Sequence, residues 1–339
     1  MKLQLRSLRA INCGPLRDVC VHFNTEGEHP VTVLAGANGS GKTTALELIF
    51  SLAETLHPLY GTPGFTIHGS SIWERAEYAE IELLIDGEAL SVFCGRRPSD
   101  APLTGNSFSR LSLEQSPSPN YPLVWQKGPI AQKITELMRG LEKAILLISD
   151  EEPADDPLLL PSILYLPHHR FIGPVEAKQI QREDTEYCWT YRYNNVPSFE
   201  GSLDSYLIWL EYAEPEVFER VVKILNDLNF DGKTFSVRRK ELKAIVTTKD
   251  GNTHYLEDLS SGEQNILIML LELRRRLLPG SIVLIDEIEN SLHPAFQYRI
   301  AEGLKRLQEM VPFQLIVTTH SPTFIEIFGT ASTRILTEF

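Results

Sequence analysis

The stretch Gly36-Ala37-Asn38-Gly39-Ser40-Gly41-Lys42-Thr43 constrains this chain more than any other, because it fits G-x-x-x-x-G-K-[ST] with nothing inserted. Before it stands Val31-Thr32-Val33-Leu34-Ala35, a Val-rich run of the kind that forms a strand buried on both faces. After it, Ala45, Leu48, Ile49, Leu52 and Leu56 recur at helical spacing, and the helix is expected to end near His57-Pro58. Strand, glycine loop and helix in that order predict a parallel α/β core. Glycines let the main chain wrap closely round a phosphate, so that N–H groups and a helix N-terminus face the anion. Lys42 would reach the β and γ phosphates, and the Thr43 hydroxyl would hold Mg²⁺. Gly36, Asn38, Gly39, Ser40, Gly41, Lys42, Thr43 and Thr44 are therefore the expected nucleotide-binding set.

The rest of the chain fits around this core. The first residues read as a hairpin turning near Gly14-Pro15, and a second hairpin turns at Asp86-Gly87, the strongest short-range signal for one. Residues 98–122 are rich in Ser and Pro without periodicity, so a loop is expected over 98–125. A helix at 131–148 and an acidic linker, DEEPADDP, follow, and then an apolar strand, Ser162-Ile163-Leu164-Tyr165-Leu166. Residues 203–230 are helical in pattern with a break at Pro215, too short and without the heptads that a long coiled coil needs. Past a turn at Asp250-Gly251, helices and strands alternate regularly to the end.

Composition limits the function classes. Apolar runs such as residues 266–273 stop far short of the ~20 residues that cross a bilayer. The N-terminus alternates like a strand and has no signal-peptide pattern, so a cytoplasmic protein without membrane partners is expected. Cys13, Cys20, Cys94 and Cys188 lack ligand spacing, which argues against structural zinc and disulfides. A formal net charge of -13 repels phosphate backbones on average, so nucleic acid would need a local basic patch. Arg238-Arg239-Lys240 with Lys243, and Arg274-Arg275-Arg276, are the candidates.

Three further elements carry chemistry. Ser281-Ile282-Val283-Leu284-Ile285-Asp286-Glu287 is an apolar strand delivering two carboxylates at its C-terminal end, where α/β folds place ligands. Asp286 would hold Mg²⁺, and Glu287 would orient or deprotonate the attacking water. Leu259-Ser260-Ser261-Gly262-Glu263-Gln264 opens an apolar helix and offers hydroxyls and N–H groups as a second anion site; Ser260 and Glu263 also fit a helix cap. Thr318-Thr319-His320-Ser321-Pro322 ends another strand.

LSSGEQ, placed between the glycine loop and the carboxylate pair, resembles the signature motif of the ABC ATPase superfamily. The resemblance implies an α/β fold: an ABC ATPase head with a P-loop parallel or mixed sheet, peripheral antiparallel β-hairpins, a short helical insert and no long coiled coil. Residues 1–165 and 231–339 would form the head, with a Walker A lobe and a signature/Walker B lobe. Residues 166–230 would be an insert for partner docking. It implies ATP and Mg²⁺ as cofactors, with Ser260, Ser261, Gly262 and Glu263 as the signature. His320 would be the switch histidine touching the γ-phosphate, and Glu289-Asn290-Ser291-Leu292-His293-Pro294 the D-loop. Where transporters carry the Q-loop glutamine, the phrase Ile163 to His168 ends in histidine, and His168, with His169 or Arg170, stands as the substitute near the metal.

ENSLHP is similar to the D-loops of ATPases grouped with the RecF, SMC and OLD proteins, many of them stand-alone AAA-labelled ATPases of bacterial defence, Septu-like or retron-associated. In that branch Asn12-Cys13-Gly14-Pro15-Leu16 keeps the Asn of an NFRxF phrase and lacks its Arg. Only residues 321–339 follow His320, too few for the Toprim nuclease domain of OLD proteins. The resemblance therefore implies a head-to-tail dimer, or a higher even oligomer, that hydrolyses ATP and regulates a separate effector such as a nuclease. A RecF-like DNA-binding repair ATPase is the alternative, and a transporter subunit a third.

Overall fold

The computed structural model describes all residues except 58–70, 96–97, 99–106, 111–124, 128–136, 138, 142–159, 177–178, 184–186, 196–197, 228–231 and 337–339. The acidic linker and almost all of the helix expected at 131–148 lie outside the described residues.

The central sheet draws strands from the whole length of the chain. Its order is β15 (Thr333–Ile335), β3 (Val31–Ala35), β14 (Gln314–Thr319), β13 (Ile282–Ile285), β8 (Ile163–Leu166) and β9 (Thr190–Arg192), with every pair parallel. The four inner strands, β3, β14, β13 and β8, are buried at every residue and largely apolar because both faces are covered, whereas the edge strands β15 and β9 are partly exposed. On one face Leu34, Ile163, Tyr165, Ile282, Leu284 and Ile316 join one core; on the other Val33, Leu164, Leu166, Val283, Ile285 and Val317 join a second. Side chains alternate along a strand, so neighbouring residues feed opposite cores.

The first core contains α1 (Lys42–Glu54), which packs against a mixed sheet, antiparallel except between β5 and β6, of order β2 (Leu16–His22), β1 (Leu3–Cys13), β4 (Tyr78–Ile85), β5 (Glu88–Gly95), β6 (Ser107–Arg110) and β7 (Trp125–Lys127). Both expected hairpins are present, and β1 pairs with β4 to join them. The second core is closed by α2 (Leu203–Ala213), α3 (Pro215–Asp227), α4 (Ser261–Arg276), α5 (Pro294–Met310) and α6 (Pro322–Phe328). A three-stranded sheet, β10 (Thr234–Arg238), β11 (Lys243–Thr247) and β12 (Thr253–Tyr255), packs on α2 and α3. Among the described residues no helix is long and apolar enough to cross a membrane.

Two expected boundaries need correction. Residues 166–230 are not wholly an insert. β9 extends the central sheet beyond β8, and Arg192 reaches Glu47 of α1 at 2.7 Å, so that strand belongs to the head. Three residues are too short to display a period, which is why β9 went unread. Likewise the expected loop at 98–125 contains β6, pairing in parallel with β5, and reaches the first residue of β7. Ser107-Phe108-Ser109-Arg110 is again too brief to show alternation against a Ser-rich background.

Candidate functional site

Parallel register brings the chemistry to one edge. Ala35 pairs with Thr319, and Ile285 pairs with both Val317 and Leu166, so β3, β14, β13 and β8 end side by side. Their continuations are the glycine loop, His320, Asp286-Glu287 and His168. Segments more than a hundred residues apart thereby meet where α/β sheets carry ligands.

The glycine loop is bent for an anion. Gly41 caps α1 at φ 93°, and a side chain there would sit 2.4 Å from Leu16, so only glycine fits. Lys42, 5% exposed, folds over the loop and donates to the carbonyls of Gly36 (2.9 Å) and Ala37 (2.8 Å). Burial lowers the Lys42 pKa, against Glu287, Asp286 and Glu289, which act to raise it. The buried Ser40 hydroxyl has no partner among the described residues. An orphan hydroxyl and a desolvated ammonium at the N-terminus of α1 fit a phosphate chain.

Thr43 donates to Asp286 Oδ2 at 2.9 Å, and Thr318 donates to Asp286 Oδ1 at 2.6 Å. Asp286 is fully buried, and a hydroxyl with a carboxylate is an oxygen donor set suited to Mg²⁺. His168 Nδ1, expected near the metal, lies 3.2 Å from Asp286 Oδ2, the carboxylate expected to hold Mg²⁺. Among the described residues no cluster of three or more His, Cys, Asp or Glu could hold a metal by itself. Mg²⁺ would thus depend on phosphate oxygens for much of its shell, as Mg²⁺ commonly does.

Glu287 adopts φ 44°, a left-handed conformation that strains a residue with a side chain. Its N–H donates to Thr318 Oγ1 at 2.7 Å, and its carboxylate lies 3.9 Å from His320 Nε2. His320 Nδ1 is 3.5 Å from Lys42 Nζ, and the His320 N–H donates to Glu289. An open cleft of about 520 Å³ is lined by Asn38, Glu287, Glu289, Asn290, Ser291 and His320. Asn38 of the glycine loop, Glu287, His320 and residues 289–291 therefore face one space, with Asp286 buried outside its lining.

The family model described as "AAA domain, putative AbiEii toxin, Type IV TA system" matches residues 132–326, from before β8 through the carboxylate pair and His320. The chain belongs to this family. Among curated proteins, "Retron Ec83 probable ATPase" of Escherichia coli is 38% identical over 97 residues, covering 25% of this chain and 17% of that protein. "Retron Vc95 probable ATPase" of Vibrio cholerae is 32% identical over 179 residues, covering 47% of this chain and 34% of that protein. The matches thus span about a third or less of those relatives. Among solved structures, the SMC head domain from Thermotoga maritima aligns at 16% identity with a TM-score of 0.45, covering 96% of this chain and 92% of that one.

In this AAA-family chain the residues expected to form the signature open α4. Ser260 caps α4, accepting from the Glu263 N–H while the Glu263 carboxylate accepts from the Ser260 N–H. Burial pushes the Glu263 carboxyl up, yet bonds from Lys233 and Ser260 outweigh it and leave the pKa lowered. Both readings of this motif are therefore compatible: a cap, with Ser260 and Ser261 exposed beyond it. A side chain at Gly262 would meet the carbonyl of Ser291 at 2.5 Å, so the signature turn rests directly on the D-loop. Among the described residues no hydrogen bond joins residues 260–263 to the loop 36–43. Thr44 is half-buried beside Gly14, one turn into α1.

Arg170 is the residue whose role sequence reasoning missed. It is 7% exposed, and burial brings its pKa down to about 10, opposed by Asp286. Its guanidinium donates to Asn265 and to the carbonyls of Leu166, Pro167, Asp286 and Glu287. The signal for it in the sequence is the Pro167-His168-His169-Arg170 run that follows β8.

The basic clusters are mostly occupied. Arg238 pairs with Glu241, Arg239 with Glu211, Lys243 with Glu257, Arg275 with Glu183 and Arg276 with Glu272. Cations neutralised by the chain's own carboxylates contribute less to a phosphate-binding strip.

Proposed function

We propose that two copies close head to tail around two ATP molecules, each glycine loop facing the partner's signature, and that closure or hydrolysis regulates a separate effector chain. A nuclease in bacterial anti-phage defence is the effector this reading favours; the likeness to two retron ATPases supports that context. One observation carries the dimer: Ser260 and Ser261 are exposed at a helix N-terminus, with no hydrogen bond among the described residues to their own glycine loop. An anion site built at that helix end has work only if it meets phosphate from another copy.

Within each site the chain's residues divide the chemistry. The loop N–H groups and Lys42 bind and orient the phosphates. Thr43 and Asp286 would hold Mg²⁺, which neutralises phosphate charge when bound. Glu287 takes a proton from the water it orients, and His320, beside Lys42 and Glu287, holds the γ-phosphate end of the site. Glu289 fixes His320 through its main chain.

Ser260→Arg tests the sharing. Loss of the cap costs about 1 kcal/mol, too little to unfold a chain of this size. The expected result is ATP affinity within about threefold of wild type with turnover and ATP-dependent dimerisation abolished, because bulk blocks closure. Loss of binding by the isolated copy would show that the signature serves its own site.

A further inference from the structure

Arg170 holds a buried charge in an unusual way. Its partners are four main-chain carbonyls and one amide, and no ion pair to a carboxylate is among its described contacts. Burying a guanidinium without a paired anion is costly, and neutral donors could satisfy carbonyls at lower cost. What the guanidinium adds is a rigid fork that grips several groups at fixed spacing.

The groups it grips belong to both halves of the proposed machinery. Nη2 donates to the carbonyl of Glu287 at 3.0 Å, and Nη1 to that of Asp286 at 2.8 Å. The strained Glu287 is thereby held from both sides, its N–H on Thr318 and its carbonyl on Arg170. Nε donates to Asn265 Oδ1 at 2.5 Å, and Asn265 stands on α4, one turn past the exposed signature serines. The amide of Asn265 donates in turn to the Asn290 carbonyl of the D-loop at 2.7 Å, and the Asn290 amide to the His168 carbonyl at 2.8 Å. A movement of α4 relative to β13 must therefore break an Arg170 bond at Asn265 or drag the main chain of Glu287 with it.

We propose that Arg170 is a positioning residue that couples the two ATP sites of the dimer. It carries the placement of the signature helix, which meets the partner copy's nucleotide, to the backbone of the glutamate that acts on its own. ATP in one site then sets the geometry of hydrolysis in the other. This rests on the shared-site reading above.

The test is Arg170→Lys in the full chain, since a single ammonium cannot hold Asn265 and Glu287 together. ATP affinity is expected to stay within about threefold, kcat to fall at least about tenfold, and the Hill coefficient of turnover to drop from above one to one. Asn265→Ala should reproduce this loss if the lysine variant does not fold, and Asn265→Asp, which keeps an acceptor for Arg170, should turn over faster than Asn265→Ala. Wild-type kcat and cooperativity in Arg170→Lys would overturn the proposal. So would a loss of turnover matched by equal losses of ATP affinity and melting temperature, which marks a purely structural strut. Sizing in a Glu287→Gln background separates the two readings. Absence of any ATP-dependent dimer there refutes the shared site, whereas a dimer alongside unaltered Arg170→Lys turnover refutes only the coupling.

Discussion

Replacing Glu287 with Gln removes a charge and a proton acceptor while leaving nearly everything else that holds the site. The residue's unusual backbone is fixed by Thr318 through its N–H and by Arg170 through its carbonyl, and neither bond uses the side chain. The side chain is 36% exposed and makes no hydrogen bond among the described residues; His320 Nε2 lies 3.9 Å from its carboxylate. A substitution of that kind shifts stability by only about 0.5 kcal/mol. Turnover is another matter, because a positioned general base contributes about 10²- to 10⁴-fold. A hundredfold loss adds about 2.7 kcal/mol to the barrier. The expected outcome is a folded protein that binds ATP normally, releases phosphate at least about a hundredfold more slowly, and accumulates as a closed dimer on a sizing column. Phosphate release within about threefold of wild type would refute the assignment of the base and leave His320 or another group to activate water.

Lys42→Ala should weaken ATP binding about ten- to a hundredfold, since a charge-assisted phosphate contact contributes about 1.5–3 kcal/mol; titration with a fluorescent analogue measures it, and affinity within threefold would remove Lys42 from the site. Asp204 offers a pH test away from the nucleotide: it is fully buried, Oδ1 accepts the Ala244 N–H, Oδ2 has no hydrogen-bond partner among the described residues, and burial raises its pKa to about 6, against the Ala244 bond and Lys243 and with Glu257 adding to the rise. The folded state therefore keeps a proton that the unfolded chain releases near pH 4, so wild-type stability falls as pH rises from 4 through 6. Asp204→Asn should melt higher than wild type above pH 6, by at most about 3 kcal/mol, with the difference vanishing near pH 4; equal melting at pH 7 would contradict it.

The elements legible in the sequence share a property: their meaning is complete within a dozen consecutive residues. The glycine loop needs only its own strand and helix, and the two-residue turn at Asp86-Gly87 carries its own backbone preference. LSSGEQ announces a helix cap, because Ser260 and Glu263 stand three apart. What could not be read depends on neighbours supplied by distant chain. The place of β3 between β14 and β15 follows from sheet order, which no local pattern encodes. β9 looks like three ordinary residues until β8 offers it an edge.

Arg170 shows the limit most sharply. In sequence it is the last of three polar residues after a strand, and arginine is rarely buried, so exposure is the natural expectation. Its acceptors come from residues 166–167, 265 and 286–287, which converge only after the parallel sheet has formed and α4 has docked on it. The same convergence explains how the charge is held: the carbonyls of Leu166 and Glu287 accept Arg170 as well as the main-chain N–H groups of Asp286 and Asn290, and those of Pro167 and Asp286 accept Arg170 beside them. A buried cation placed there ties the ends of β8 and β13 together. Because the tied groups include the backbone of the proposed base, the residue that closes the fold at this edge is also the one through which the signature helix can act on Glu287.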